Sequence, residues 1–308
     1  LPARNLRRIR SDVSFTSFFI AELPLDARPA IIPRIMERLP TNSSYIPADR
    51  DLEFLQRDDL RAVRVGLELL KPELIQREQG IQSTIVVFGS ARVQEPKTAA
   101  QLLRSAEDES ARFPDDRTRQ RRLEIARRQF TLSKYYDIAR EFGRLVSSTC
   151  QVGNRCDYVI ITGGGPGIME AANRGASDVG AKSIGLNITL PHEQCPNAYI
   201  TPELSFQFRY FAMRKMHFLI RARALVALPG GFGTLDELFE ALTLLQTGKT
   251  RHLVVVLIGR DFWDRLIDWP WLVDHGLIAE DDLQLFHYAE TAQEAWDLIA
   301  RHNGVTGA

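Results

Sequence analysis

The chain has 308 residues, 44% of them hydrophobic and 25% charged, which fits one sizeable globular core plus an appendage. Its 39 Lys and Arg balance 39 Asp and Glu, so no global field exists to gather nucleic acid or an anionic membrane surface, and any anion has to be captured locally. Cys150, Cys156 and Cys195 stand at neither metal-ligand nor redox-pair spacing, no apolar run reaches membrane-span length and Leu1-Pro2-Ala3-Arg4 has no signal-peptide pattern, so a reducing, cytoplasmic setting is expected.

Residues 1–80 show proline punctuation and helical periodicity, as in the run from Leu60 to Leu70, and predict a helical N-terminal extension. Residues 81–308 then alternate short apolar runs with amphipathic ones. Thr84–Gly89 reads as the first strand. A charge-dense stretch over 94–130 follows, and because acids interleave with Arg117, Arg119, Arg121 and Arg122 it reads as a solvated helical insertion rather than a nucleic-acid arm. Next come a helix at Leu132–Ser148, a strand at Asp157–Thr162, a helix at Gly167–Val179 and a strand at Lys182–Asn187. A helix at Phe208–Arg223 leads into a strand at Ala224–Pro229, and a helix at Thr234–Thr247 into a strand at Leu253–Gly259. A helix at Asp261–Asp274, a strand at Phe286–Ala289 and a helix at Thr291–His302 end the pattern. Strands separated by helices of this length predict an α/β protein, a Rossmann-like, doubly wound parallel sheet covered on both faces. Ligands of such sheets bind beyond the carboxyl ends of the strands.

Two glycine-rich turns fall at that edge, Gly163-Gly164-Gly165-Pro166-Gly167 and Pro229-Gly230-Gly231-Phe232-Gly233-Thr234. Each joins a strand to a helix, an arrangement that aims free N–H groups and a helix dipole at one point and suits a phosphate. Gly164, Gly165, Gly167, Gly230, Gly231, Gly233 and Thr234 are therefore candidate phosphate and ribose contacts, and Ser90 and Arg92 after the first strand add a hydroxyl and a guanidinium. A dinucleotide fingerprint is not met, since Ile168 and Asp236 stand where a third glycine belongs and the region around Asn187 lacks the ribose-binding acid. No Gly-Lys-Ser/Thr follows either turn, so a Walker loop is excluded too.

Thr234-Leu235-Asp236-Glu237 fits a helix capping box on local grounds. Its position beside a phosphate turn nevertheless makes Glu237 the candidate reacting carboxylate. Arg214 and Lys215 lie in an unusually apolar helix beside Met213, Met216 and Phe218, where a half-buried guanidinium needs an anionic partner, either a substrate phosphate or Glu237. An imine-forming role for Lys215 with pyridoxal phosphate lacks any accompanying site for the ring. The six histidines are scattered, so a metal site is not expected, and no Gly-x-Ser-x-Gly elbow occurs, which removes the commonest sequence sign of a serine hydrolase; no cofactor is expected.

Gly163 to Asn173, the Met213-Arg214-Lys215 run and Pro229-Gly230-Gly231-Phe232-Gly233-Thr234-Leu235-Asp236-Glu237 together resemble the LOG (Lonely Guy) family, once mislabelled lysine decarboxylases. The resemblance runs from about Ile85 to the C-terminus and excludes residues 1–80. It implies hydrolysis of the N-glycosidic bond of a nucleoside 5′-monophosphate to free base and ribose 5-phosphate, with Arg214 and Glu237 as the catalytic pair. It further implies phosphate held by the glycine turns and Thr234, base or ribose contacts from Met169, Glu170, Asn173 and Lys215, and a homo-oligomer. The extension and the Gly167-to-Asn173 wording resemble the longer bacterial members and point to AMP as well as cytokinin riboside 5′-monophosphate. A non-catalytic nucleotide-binding or carrier protein on the same fold is the alternative.

Overall fold

The computed structural model describes residues 43–151, 156–189, 195–250 and 252–305. The part of the expected extension before residue 43 lies outside them. The chain divides into two compact units, Leu1–Ala62 and Val63–Ala308. In the first, Asp51 caps a single helical turn, Leu52–Leu55, by accepting from the Phe54 amide at 2.9 Å.

The second unit begins within helix α1 (Arg61–Glu78), so most of this helix belongs with the sheet. Strand β1 (Thr84–Phe88) leads into two insertion helices, α2 (Pro96–Arg112) and α3 (Arg117–Leu132), then α4 (Lys134–Cys150). There follow β2 (Val159–Thr162), α5 (Ile168–Ser177), β3 (Ser183–Ile188) and β4 (Ser205–Phe208). Helix α6 (Phe211–Leu219), β5 (Ala222–Ala227), α7 (Phe232–Gln246) and β6 (Val254–Ile258) come next. Helices α8 (Arg260–Leu266) and α9 (Trp269–Asp274), strand β7 (Phe286–Ala289) and α10 (Ala292–Asn303) complete the unit.

The seven strands form one parallel sheet in the order β4-β3-β2-β1-β5-β6-β7. Because side chains alternate along a strand, β1 serves two cores. Ile85 and Val87 pack with Phe142 of α4, Ile168 and Ala172 of α5 and Trp296 of α10. Val86 and Phe88 pack with Phe218 of α6, Leu238 and Ala241 of α7 and Trp263 of α8. Burial on both faces is why these strands read as continuous apolar runs.

Two elements differ from expectation. Strand β4 was not foreseen, being four residues at the sheet edge with alternating burial. The predicted helix over Asp261–Asp274 is broken in two, because Asp268 caps a fresh helix at the Trp271 amide and Pro270 sits in its first turn.

The order of strands reverses between β1 and β5. Their exits are tied together, with the Leu228 amide donating to Phe88 O at 2.9 Å and the Ser90 amide to Pro229 O at 3.0 Å. The chain then diverges, one loop toward α2 and the other toward α7, and a crevice opens between them.

Candidate active site

The crevice is a cleft of about 710 Å³ at the carboxyl ends of the strands. It is lined by Ser90 and Arg92 after β1, Gly163, Gly165 and Met169 after β2, and Gly230, Gly231, Gly233 and Thr234 after β5. Arg214 and Glu237 also face it. The three loops singled out in the sequence thus open onto one space.

Helices α5 and α7 both start from a glycine, Gly167 and Gly231, and neither has a side-chain cap. Thr234 is the third helical residue of α7 rather than its cap, so the capping-box reading of Thr234 and Glu237 does not hold. Two consequences follow. The first-turn amides of α7 stay open toward the cleft, a ready seat for an anion. Glu237 is released from backbone duty and lies in the second turn, only 5% exposed, with its Oε1 lacking any hydrogen-bond partner among the described residues.

Arg214 of α6 faces it, with Nη2 at 3.8 Å from Glu237 Oε1. That distance is an ion pair but not a hydrogen bond. The guanidinium lies 5.1 Å from the Phe211 ring and 5.6 Å from the Phe218 ring, and its Nε is also unpartnered. Burial pushes the Glu237 carboxyl up to about 7, against the opposing pull of Lys215 and Arg214. Burial likewise pulls Arg214 below its ordinary range, with Glu237 acting the other way. Desolvation therefore outweighs attraction on both partners, and the pair retains unused hydrogen-bonding capacity beside the cleft.

The remaining sequence candidates stand behind the cleft wall. Lys215 bonds Asp236 at 2.9 Å and Glu240 at 2.8 Å, tying α6 to α7 on the side away from the ligand space. Glu170 accepts from the Tyr136 hydroxyl at 2.9 Å. Asn173 is fully buried and, through Oδ1, accepts from the Thr162 hydroxyl at 2.7 Å and from Asn197 Nδ2 at 3.0 Å. Asn197 also bonds the carbonyls of Gly164 and Gly165, so this network pins the first glycine run. In this structure Lys215, Glu170 and Asn173 are accordingly support groups, not lining groups. The sequence reading missed Asn197, Asn187 and the apolar wall of Leu132, Phe262 and Leu266, whose types carry no motif.

Gly164 and Gly167 do not line the cleft either. Both have positive φ, +74° and +71°. A Cβ on Gly167 would sit 2.4 Å from Ser90 O, so a glycine is what lets the β1 and β2 loops touch. Gly167→Ala is expected to cost about 2 kcal/mol or more, combining left-handed strain with that clash. A lowered denaturant midpoint measures it.

A larger cleft of about 880 Å³ opens at the opposite edge of the sheet, near Gln82, Arg223, His252 and His287. The ends of α7 and α10 approach it with their C-termini, whose partial negative charge disfavours a phosphate. Among the described residues no group of three His, Cys, Asp or Glu is placed to hold a metal, and no helix is long and apolar enough to cross a membrane.

Fold and site define an α/β protein in which a buried Glu–Arg pair and an uncapped helix N-terminus face one cleft at a topological switch point. A family model described as "Possible lysine decarboxylase" matches residues 169–299. Cytokinin riboside 5′-monophosphate phosphoribohydrolase LOG of Oryza sativa subsp. japonica is 31% identical over 166 residues, 53% of this chain and 64% of that protein. Its relative LOG7 of Arabidopsis thaliana is 31% identical over 153 residues, 47% of this chain and 68% of that protein. The chain belongs to the LOG family. A solved structure, the Moco Carrier Protein of Chlamydomonas reinhardtii, is 17% identical and covers 72% of this chain and 98% of its own at a TM-score of 0.41.

Proposed function

We propose that the protein hydrolyses the N-glycosidic bond of a nucleoside 5′-monophosphate, AMP or cytokinin riboside 5′-monophosphate, giving free base and ribose 5-phosphate. The observation that carries this reading is the buried Glu237 carboxyl, 3.8 Å from Arg214, facing the same cleft as the uncapped N-terminus of α7. The 5′-phosphate sits on the open amides of α7, with Ser90 and Arg92 on the other side. The anomeric carbon is then held against Glu237. Departure of the base builds positive charge on the ribose ring, and the ionised carboxylate stabilises that charge and takes a proton from the attacking water. Arg214 opposes the effect of burial on the carboxyl, favouring its ionised form, and orients it. Membership of the LOG family supports the same chemistry, since the rice and Arabidopsis relatives are named for it.

Cysteine usage supports a reducing, cytoplasmic setting, and the family resemblance supports a homo-oligomer. Phe232, 92% exposed at the rim of the cleft, is an apolar ring that a second copy would cover.

The test is release of adenine from AMP, followed by chromatography across a panel of nucleoside monophosphates. Arg214→Ala and Glu237→Ala are each expected to lower the rate about 100-fold or more while the protein stays folded. AMP that raises the melting temperature with no base released from any member of the panel would select the carrier alternative instead.

A further inference from the structure

Helix α6 carries Arg214, and α1 holds it at both ends. At its start, the Glu68 carboxylate accepts from the Arg209 amide at 2.8 Å and from the Tyr210 amide at 3.1 Å. Tyr210 is the helix cap and offers no side-chain cap of its own, so Glu68 supplies both an acceptor and a negative charge at the positive end of the helix dipole. Arg64 of α1 adds a hydrogen bond from its Nε to the Tyr210 hydroxyl at 3.3 Å. Past the last turn of α6, Arg221 makes a two-pronged ion pair with Glu73, at 2.5 and 2.8 Å, which holds the Glu73 carboxyl below its usual range.

The middle contact follows from a proline. Pro72 lies inside α1 and has no N–H, so the carbonyl four residues earlier, that of Glu68, loses its helical donor. His217, on the same helix as Arg214 and 3% exposed, fills that place with Nε2 at 3.1 Å from Glu68 O. Burial pulls this imidazole below its ordinary range, which fits a neutral ring donating from Nε2. Glu68 thus grips α6 twice, through its side chain at the helix start and through its own carbonyl about two turns further on.

We propose that α1 is a working part of the active site, with Glu68 a positioning residue that fixes where Arg214 stands relative to Glu237. The inference rests on Arg214 and Glu237 being the functional pair. It goes beyond that assignment by drawing in a helix that lies outside residues 169–299, the span the family model matches. Arg214 is the fourth residue of α6, so a small tilt at the helix start carries its guanidinium away from a carboxylate already at 3.8 Å.

The charged groups facing Glu237 are Arg214 and Lys215 from α6 and Asp236 and Glu240 from its own helix. Lys215 is fastened to Asp236 and Glu240, whereas Arg214 has no ion pair besides Glu237 among the described residues. Loosening α6 at Glu68 therefore weakens mainly the Arg214 contribution, and the Glu237 carboxyl titrates at higher pH.

The experiment compares Glu68→Ala and Glu68→Gln in the full chain, alone and combined with Arg214→Ala. Two quantities are read: the turnover of AMP as kcat and KM, and the titration of the Glu237 side chain by carbon-13 NMR, its signal assigned by its loss in Glu237→Gln. Expected are a kcat about 10-fold lower with KM changed far less, a Glu237 titration moved upward, a smaller effect of Gln, which still accepts one amide, and no added effect in the Arg214→Ala background. A Glu237 titration that stays in place in folded Glu68→Ala, or an equal loss with and without Arg214, overturns the inference. Because the titration is read without turnover, absence of any base release would count against the proposed hydrolysis and leave the role of Glu68 separately decided.

Discussion

Glu237→Gln is expected to abolish base release, by about 1,000-fold, and at the same time to make the protein more stable at pH 8. The first effect follows from removing the one carboxylate that lines the cleft among the described residues, which in the proposed reading meets positive charge on the ribose. The second follows from linkage. The carboxyl titrates at an ordinary 4.5 when unfolded and is raised to about 7 in the folded protein, with burial the largest cause. A raised acid favours the folded state when protonated. Below pH 4.5 both states hold the proton and ionisation costs nothing. As pH rises toward 7 the unfolded chain ionises freely while the folded one resists, and the cost reaches about 3 kcal/mol above pH 7. That figure already includes the attraction of Arg214 and Lys215, so losing those contacts in the neutral glutamine does not reverse its sign. Thermal melts of the two proteins should coincide near pH 4 and separate by several degrees at pH 8, with the inactive variant melting later. Equal melting temperatures at pH 8 would mean that Glu237 is not held in a desolvated state. The same titration predicts that turnover in the wild type rises with pH through about 7, as the carboxylate forms.

Such a gain in stability on losing function is expected where a site keeps a charge out of water for chemistry. It also explains what was readable in the sequence. The glycine turns were legible because backbone geometry leaves no substitute: Gly167 at φ +71° presses on Ser90, and no other residue type fits there. The sheet was legible because strands buried on both faces must be apolar throughout. Glu237 was ambiguous because Thr-x-x-Glu serves equally as a helix cap, and only the actual helix start at Phe232 decides between the two. Lys215 and Glu170 are adjacent in sequence to the lining residues Arg214 and Met169, yet helical geometry turns them to other faces, toward Asp236 and Glu240 and toward Tyr136, while Asn173, a turn beyond Met169, is buried against Thr162. Least legible was the attachment of α1. Its contacts to α6 span about 140 residues of sequence, and the one local sign was a proline inside a helical pattern.

The second large effect concerns the phosphate. Adenosine is expected to be cleaved about 1,000-fold to 10,000-fold less efficiently than AMP, with the loss shared between kcat and KM. The estimate rests on the first-turn amides of α7 at Phe232, Gly233 and Thr234, which have no cap and open onto the cleft. Hydrogen bonds to a charged group contribute about 1.5–3 kcal/mol each, and two or three of them, at about 1.4 kcal/mol per decade, account for that range. The phosphate is remote from the bond that breaks, so its binding energy does more than hold the ligand. Anchored at the helix mouth, it fixes the ribose so that the anomeric carbon stays against Glu237 instead of sampling the rest of a 710 Å³ cleft. Part of the loss with adenosine therefore falls on kcat. Inorganic phosphate, or ribose 5-phosphate, should inhibit AMP cleavage competitively, since either occupies the same amides. A protein that cleaves adenosine and AMP equally well would show that the mouth of α7 is not where the substrate is held.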